Sequence, residues 1–134
     1  MKTKNRRVVL DVNVWISIFG KNDFRVVRSF VARKTTILRS QELESELLRV
    51  MGYKKFKWQK PKEFYYKFLC DFTEFHPTVP IFTDCSDPND NYLFDLAIQA
   101  KADYLVSGDG DVLEVKINPP PQIISYTQFK ELFC

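Results

Sequence analysis

The chain has one histidine, His76, and three cysteines, Cys70, Cys85 and Cys134, none of them in CxxC spacing. That scarcity excludes a zinc-ligand set, and an odd cysteine count gives no closed disulfide framework. Reduced thiols in a cytoplasmic setting are the simplest reading. There is no low-complexity tract and no internal repeat. The apolar run over residues 8–19 follows Lys2, Lys4, Arg6 and Arg7 in the manner of a signal peptide. However, it contains Asp11 and Asn13, no small-residue cleavage site follows, and it is too short to span a bilayer. The expectation is a cytoplasmic chain with no membrane attachment, in which this run is a buried strand and a helix start.

What is present is ordinary in amount and uneven in placement. At 134 residues, 45% hydrophobic and 28% charged, the chain is expected to form a single domain over 1–134 with a real core. The net charge is only +3, yet residues 1–67 hold 17 Lys/Arg against 6 Asp/Glu, and residues 68–134 hold 3 against 11. Between Asp84 and Glu114 there are eight acids and one base, Lys101. Charges of this kind can simply solvate a surface. They also suit a basic face that holds a polyanion beside an acidic pocket that holds cations.

Strands and helices alternate in the pattern. Val8-Val9-Leu10 reads as a strand ending at Asp11, and Trp15, Ile16 and Phe19 give a helical turn or two. A helix over 24–34, capped by Asn22 or Asp23, precedes a strand over 35–38. Ser40 caps a helix over 41–52 that Gly52 ends. Residues 53–60 form a basic-aromatic linker, and Pro61 opens a long helix to about Phe75. A connection that can hold a short strand follows over 76–82. Asp87 and Pro88 open a helix over 88–101, residues 103–107 form a strand, and residues 119–121 an extended link. The last strand covers 122–125 and the last helix 127–133. This order predicts an α/β sandwich with a mainly parallel sheet, whose site lies beyond the carboxyl ends of the strands.

Asp11 and Asp109 fall at two such strand ends, although Asp11 and Asn13 can equally cap the next helix. Glu42, Glu44 and Glu46 share one helix, and the helical wheel does not choose among them. Asp90 has a ready explanation as the third residue of a helix start, yet it shares a face with Leu93, Phe94 and Ala97, which must turn inward. Asp95 lies about 140° around the helix from Asp90 and is not expected in the same site. Ser107-Gly108-Asp109-Gly110-Asp111 is either a plain turn or a carboxylate-bearing loop, and no Glu closes an EF-hand. Carboxylates crowded in one cleft repel, by about 4 kcal/mol for two at ~4 Å and an effective dielectric of ~20. Such a cluster is held where cations neutralise it.

This constellation resembles the PIN-domain family over essentially the whole chain. The residues that carry it are Val8-Val9-Leu10-Asp11-Val12-Asn13-Val14, Ser40-Gln41-Glu42-Leu43-Glu44-Ser45-Glu46-Leu47, Asp87-Pro88-Asn89-Asp90-Asn91 and Ala102-Asp103-Tyr104-Leu105-Val106-Ser107-Gly108-Asp109-Gly110-Asp111. Ile123-Ile124-Ser125 and Phe129 fit its end. Val12 and Ser107 stand where the family often has Thr. The resemblance is to short stand-alone prokaryotic members, toxins of VapC-type toxin–antitoxin pairs. It implies a three-layer α/β/α sandwich and an endoribonuclease whose catalytic and metal-holding acids are Asp11, Glu46, Asp90 and Asp109. It implies supporting roles for Asn13, Ser107 and Asp111, one or two Mg²⁺ or Mn²⁺ ions, a cognate antitoxin and a homodimer. Lys54, Lys55, Lys57 and Lys60 are the expected RNA contacts, with Tyr53, Phe56 or Trp58 either stacking on bases or packing inside. A catalytically idle PIN-like module that binds RNA or protein is the alternative, and the complete quartet of acids ranks it lower. A metal hydrolase of small phosphate esters fits the basic half less well than a nuclease does.

Overall fold

The computed structural model describes residues 5–133, so Lys2, Lys4 and Cys134 lie outside the described residues. Its centre is a five-stranded, wholly parallel sheet in the order β3-β2-β1-β4-β5. The strands are β1 (Arg6–Leu10), β2 (Thr35–Arg39), β3 (Thr73–Phe75), β4 (Tyr104–Val106) and β5 (Gln122–Ile124). Val8, Val9 and Leu10 are each fully buried. Successive strand residues point to opposite faces, so both faces of the sheet are covered, as in a three-layer sandwich.

The covering helices are α1 (Val12–Gly20), α2 (Phe24–Ala32), α3 (Gln41–Met51), α4 (Lys62–Phe72), α5 (Asn91–Gln99), α6 (Gly110–Leu113) and α7 (Tyr126–Phe133). Helix α5 packs on β1 and β4 and touches α3, which touches α1. Helix α2 packs on β2, touches α4, and meets α7 through Phe30 and Phe129 at 4.8 Å. Among the described residues, no helix is long and apolar enough to cross a membrane. Cys70 and Cys85 are free thiols.

The structure departs from the sequence expectation in four places. The helix opened by Pro61 stops at Phe72, and Thr73–Phe75 is the edge strand β3, paired with Ile37–Arg39. Thr73 is held at the switch from both sides: Arg39 Nη1 donates to its carbonyl and its hydroxyl, at 3.0 and 2.9 Å, and its hydroxyl donates to the Leu69 carbonyl at 2.5 Å. Residues 76–82 then carry no strand. Their backbone is pinned by buried Asp95, which accepts from the Ile81 and Phe82 amides at 3.0 and 2.8 Å. The helix expected at 88 begins as a 3-10 turn over Pro88–Asp90, and α5 proper starts at Asn91. Finally, the 119–121 link bends and its two Pro–Pro bonds are cis, while the turn after β4 contains the short helix α6.

Candidate functional site

Chain order runs outward from β1 to β2 and β3 on one side, and β4 and β5 lie on the other. The carboxyl ends of β1 and β4 therefore flank the point where the connections diverge, the place where an open parallel sheet leaves a crevice. Leu10 pairs with Val106, so the next residue on each strand, Asp11 and Ser107, emerge side by side. The Asp11 amide donates to the Val106 carbonyl at 3.0 Å, which holds this register past the last pair.

Asp11 is 3% exposed and caps α1, accepting from the Val14 amide at 2.9 Å through Oδ1. Its Oδ2 accepts from the fully buried Ser107 hydroxyl. That hydroxyl in turn accepts from the Asp109 amide at 3.0 Å. Asp109 caps α6 by accepting from the Asp111 amide at 2.9 Å. The capping reading and the cleft reading of Asp11 are thus both true. One oxygen serves the helix, and the other faces Ser107.

Asp11, Glu46, Asp90 and Asp109 line one small cleft of about 70 Å³, together with Asn13 and Tyr92. Asn13 is exposed at its rim. Asp111 is not among the lining residues, although its charge acts on Asp90. Asp90 makes no capping bond, and its buried Oδ2 has no hydrogen-bond partner. Burial above all, then the charges of Asp109, Asp87, Asp11 and Asp111, push its carboxyl up to about 6. Burial, followed at a distance by Asp109, also raises Asp11. The Tyr92 phenol is raised by burial and then by Glu46, Asp11 and Asp90, so it stays protonated against the acids.

Helix α3 separates its three glutamates by partner. Glu44 is buried and paired with Arg39 at 2.5 Å, and it accepts from the Tyr66 hydroxyl at 3.4 Å. Glu42 accepts from Thr78. Only Glu46 reaches the cleft, where Arg49 holds both of its oxygens, through Nε at 3.0 Å and Nη2 at 2.5 Å. Sequence reading missed Arg49 and Tyr92. The available signals were the three-residue spacing of Glu46 and Arg49 on one helix face, and the nearness of Tyr92 to Asp90.

Among the described residues, no three Asp, Glu, His or Cys side chains converge tightly enough to hold an ion as they stand. The hydrogen bonds explain this: Asp11, Glu46 and Asp109 are each drawn to a local donor, and like charges gain by diverging. The donor set nevertheless suits a hard divalent cation. It is all carboxylate oxygen, and the orphaned Oδ2 of Asp90 is a buried acceptor that needs a positive partner.

The lysines of residues 53–60 sit elsewhere. Lys54, Lys55, Lys57 and Lys60 are exposed and line neither the acidic cleft nor the larger groove of about 800 Å³ beside it. Trp58 is half-buried and packs against the core: its indole donates to the Met51 carbonyl at 2.8 Å, and its ring meets Tyr65 edge-on at 5.5 Å. Tyr53 and Phe56 lie stacked at 6.5 Å with Tyr53 exposed.

A family model described as PIN domain matches residues 7–111, a span that includes all four cleft acids. Comparison with curated proteins and with solved structures gives no match. The parallel 3-2-1-4-5 sheet, the acids gathered at its switch point and a match over well over half the length lead to one assignment: the chain belongs to the PIN-domain family, whose members are typically nucleases that use divalent metal ions.

Proposed function

We propose that this protein is a Mg²⁺- or Mn²⁺-dependent endoribonuclease, the toxin of a type II toxin–antitoxin pair that acts in the cytoplasm. The observation that carries the reading is the meeting of Asp11, Glu46, Asp90 and Asp109 around one cleft, with a buried Asp90 oxygen left without a donor.

Asp11, Asp90 and Asp109 would hold one or two ions, with Glu46 beside them. A divalent ion bound there supplies Lewis acidity, which makes water nucleophilic at neutral pH and offsets charge on the leaving oxygen. Ser107 fixes the Asp11 carboxylate by its hydroxyl and fixes the Asp109 loop by accepting its amide. Water attacks phosphorus, the bond from phosphorus to the leaving ribose oxygen breaks, and that oxygen takes up a proton. Lys54, Lys55, Lys57 and Lys60 bind the RNA backbone away from the cleft, and the exposed Tyr53, backed by half-buried Phe56, offers a stacking surface for unpaired bases. Asn13 supports the cleft from its rim, and Asp111 supports it from α6 through its charge on Asp90. A cognate antitoxin covers the cleft, and the toxin is a homodimer.

The alternative, an idle module that binds RNA or protein, draws on the spread of the carboxylates and the Arg49 pair on Glu46. Chelator-treated protein is heated with and without Mn²⁺ and then offered single-stranded RNA. The proposal expects a higher melting temperature with metal, and cleavage only with metal. No shift at millimolar Mn²⁺ and no cleavage favour the idle module.

A further inference from the structure

The large groove beside the acidic cleft has an unusual lining. Among the described residues that line it, Glu42, Glu46, Asp87 and Asp90 are acidic, and Arg49 alone is basic. Arg49 is exposed on α3, its side chain 58% accessible, and reaches in three directions. It holds Glu46 by two nitrogens, donates to the Tyr53 hydroxyl through Nη1, and has its guanidinium 5.5 Å from the Tyr53 ring. Tyr53 in turn stacks on Phe56 at the start of the basic-aromatic segment. Arg49 is therefore the side chain that joins the acidic cleft to that segment.

A guanidinium fork suits a carboxylate and a phosphate equally well, and it cannot serve both with the same donors. Without an ion, Glu46 is the nearest anion and takes the fork. A cation in the cleft competes for Glu46 and frees the fork. The freed guanidinium is then, among the described residues, the only basic point of a groove whose acidic wall would otherwise repel a phosphodiester.

We propose that Arg49 is a two-position residue that masks Glu46 in the metal-free protein and, once released, binds a backbone phosphate of the nucleic acid lying in the groove. This rests on the metal-dependent nuclease reading. It adds that metal binding and substrate binding are coupled through one arginine. Arg49 acts here as a binding and positioning residue.

The test uses the full chain stripped with chelator, with MnCl₂ alone as the first probe. Affinity is read from melting temperature against Mn²⁺ concentration. Arg49→Gln unmasks Glu46 and is expected to bind Mn²⁺ about twofold to fivefold more tightly than the parent, the range for an exposed ion pair. Unchanged or weaker Mn²⁺ binding by R49Q overturns the masking role. Asp11→Asn is measured alongside: if it binds Mn²⁺ as well as the parent does, the metal site itself is misassigned and the inference falls with it. If D11N loses Mn²⁺ and R49Q gains nothing, only the inference falls.

The second probe is a short single-stranded RNA in EDTA, followed by fluorescence anisotropy. In the Glu46→Gln background the fork is free, and adding Arg49→Gln should weaken RNA binding roughly threefold to tenfold. In the parent background, where Glu46 already occupies the fork, the same substitution should cost less than about twofold. An equal loss in both backgrounds, or none in either, overturns the hand-over.

Discussion

The Ser107 hydroxyl donates to Asp11 Oδ2 across the β1–β4 boundary, and both residues stand one position beyond the last paired residues of their strands. Because that hydroxyl also accepts from the Asp109 amide, one buried oxygen atom ties two of the four cleft acids together. Ser107→Ala leaves the Asp109 amide without its acceptor and the buried Asp11 oxygen without its donor. The expected cost is about 1–3 kcal/mol of stability and a loss of roughly tenfold to a hundredfold in cleavage. Urea unfolding and single-turnover cleavage check both, and a variant with parental stability and rate contradicts the link.

Acid should stabilise the metal-free protein. Asp90 titrates at about 6 in the fold against 3.8 for an ordinary Asp. The folded state therefore binds this proton more tightly than the unfolded chain, and stability falls as pH rises between those values. The raised Asp11 acts in the same direction. In chelator, the melting temperature should drop as pH climbs from about 5 to about 7, by less than the whole shift would give, because Asp90 is partly solvated and its charge partly screened. Asp90→Asn should flatten that slope, and an identical slope in D90N would show that Asp90 is not its source.

Glu44 and Glu46 are two residues apart and should behave oppositely. Glu44→Gln breaks a pair whose side chains are only 10% and 15% exposed, so it should cost about 3 kcal/mol. What remains folded should still cut RNA. Glu46→Gln removes the partner of exposed Arg49 and should leave stability nearly unchanged while cleavage falls sharply. Chemical denaturation together with a rate per folded molecule separates the two.

The lysine segment should act through salt. Replacing Lys54, Lys55 and Lys57 together by Gln should lower RNA affinity and reduce the slope of log K against log salt by about 2, at ~0.7 for each contact to a single strand. Melting temperature should hold, because all three are exposed. An unchanged salt slope would place the RNA elsewhere.

Much of the site was legible because strand ends are legible. Asp11 and Asp109 follow hydrophobic runs, and a parallel sheet brings such ends together. Glu46 could not be chosen on the wheel, because the choice is made by tertiary partners: Arg39 and Tyr66 take Glu44, Thr78 takes Glu42 and the cleft takes Glu46. The edge strand Thr73–Phe75 was hidden for a similar reason. Two contacts meet at Thr73 where the helix stops: its own hydroxyl donates back to the Leu69 carbonyl, and Arg39 on the neighbouring strand donates to its carbonyl and hydroxyl, and only the first is local. Asp90 looked like a capping residue, yet Asp87 does the capping and Asp90 is left bare. The cleft itself, with Tyr92 in its wall and Arg49 on Glu46, is a property of packing that periodicity does not encode.

The most direct measurement is cleavage of single-stranded RNA by Asp11→Asn beside the parent protein, in Mn²⁺ and in chelator, with folding confirmed by circular dichroism. Because Asp11 is the buried acid of the cleft that Ser107 holds in place, Asp11→Asn should fold and show no metal-dependent cleavage. A folded Asp11→Asn protein that cuts RNA at the parental rate would contradict it.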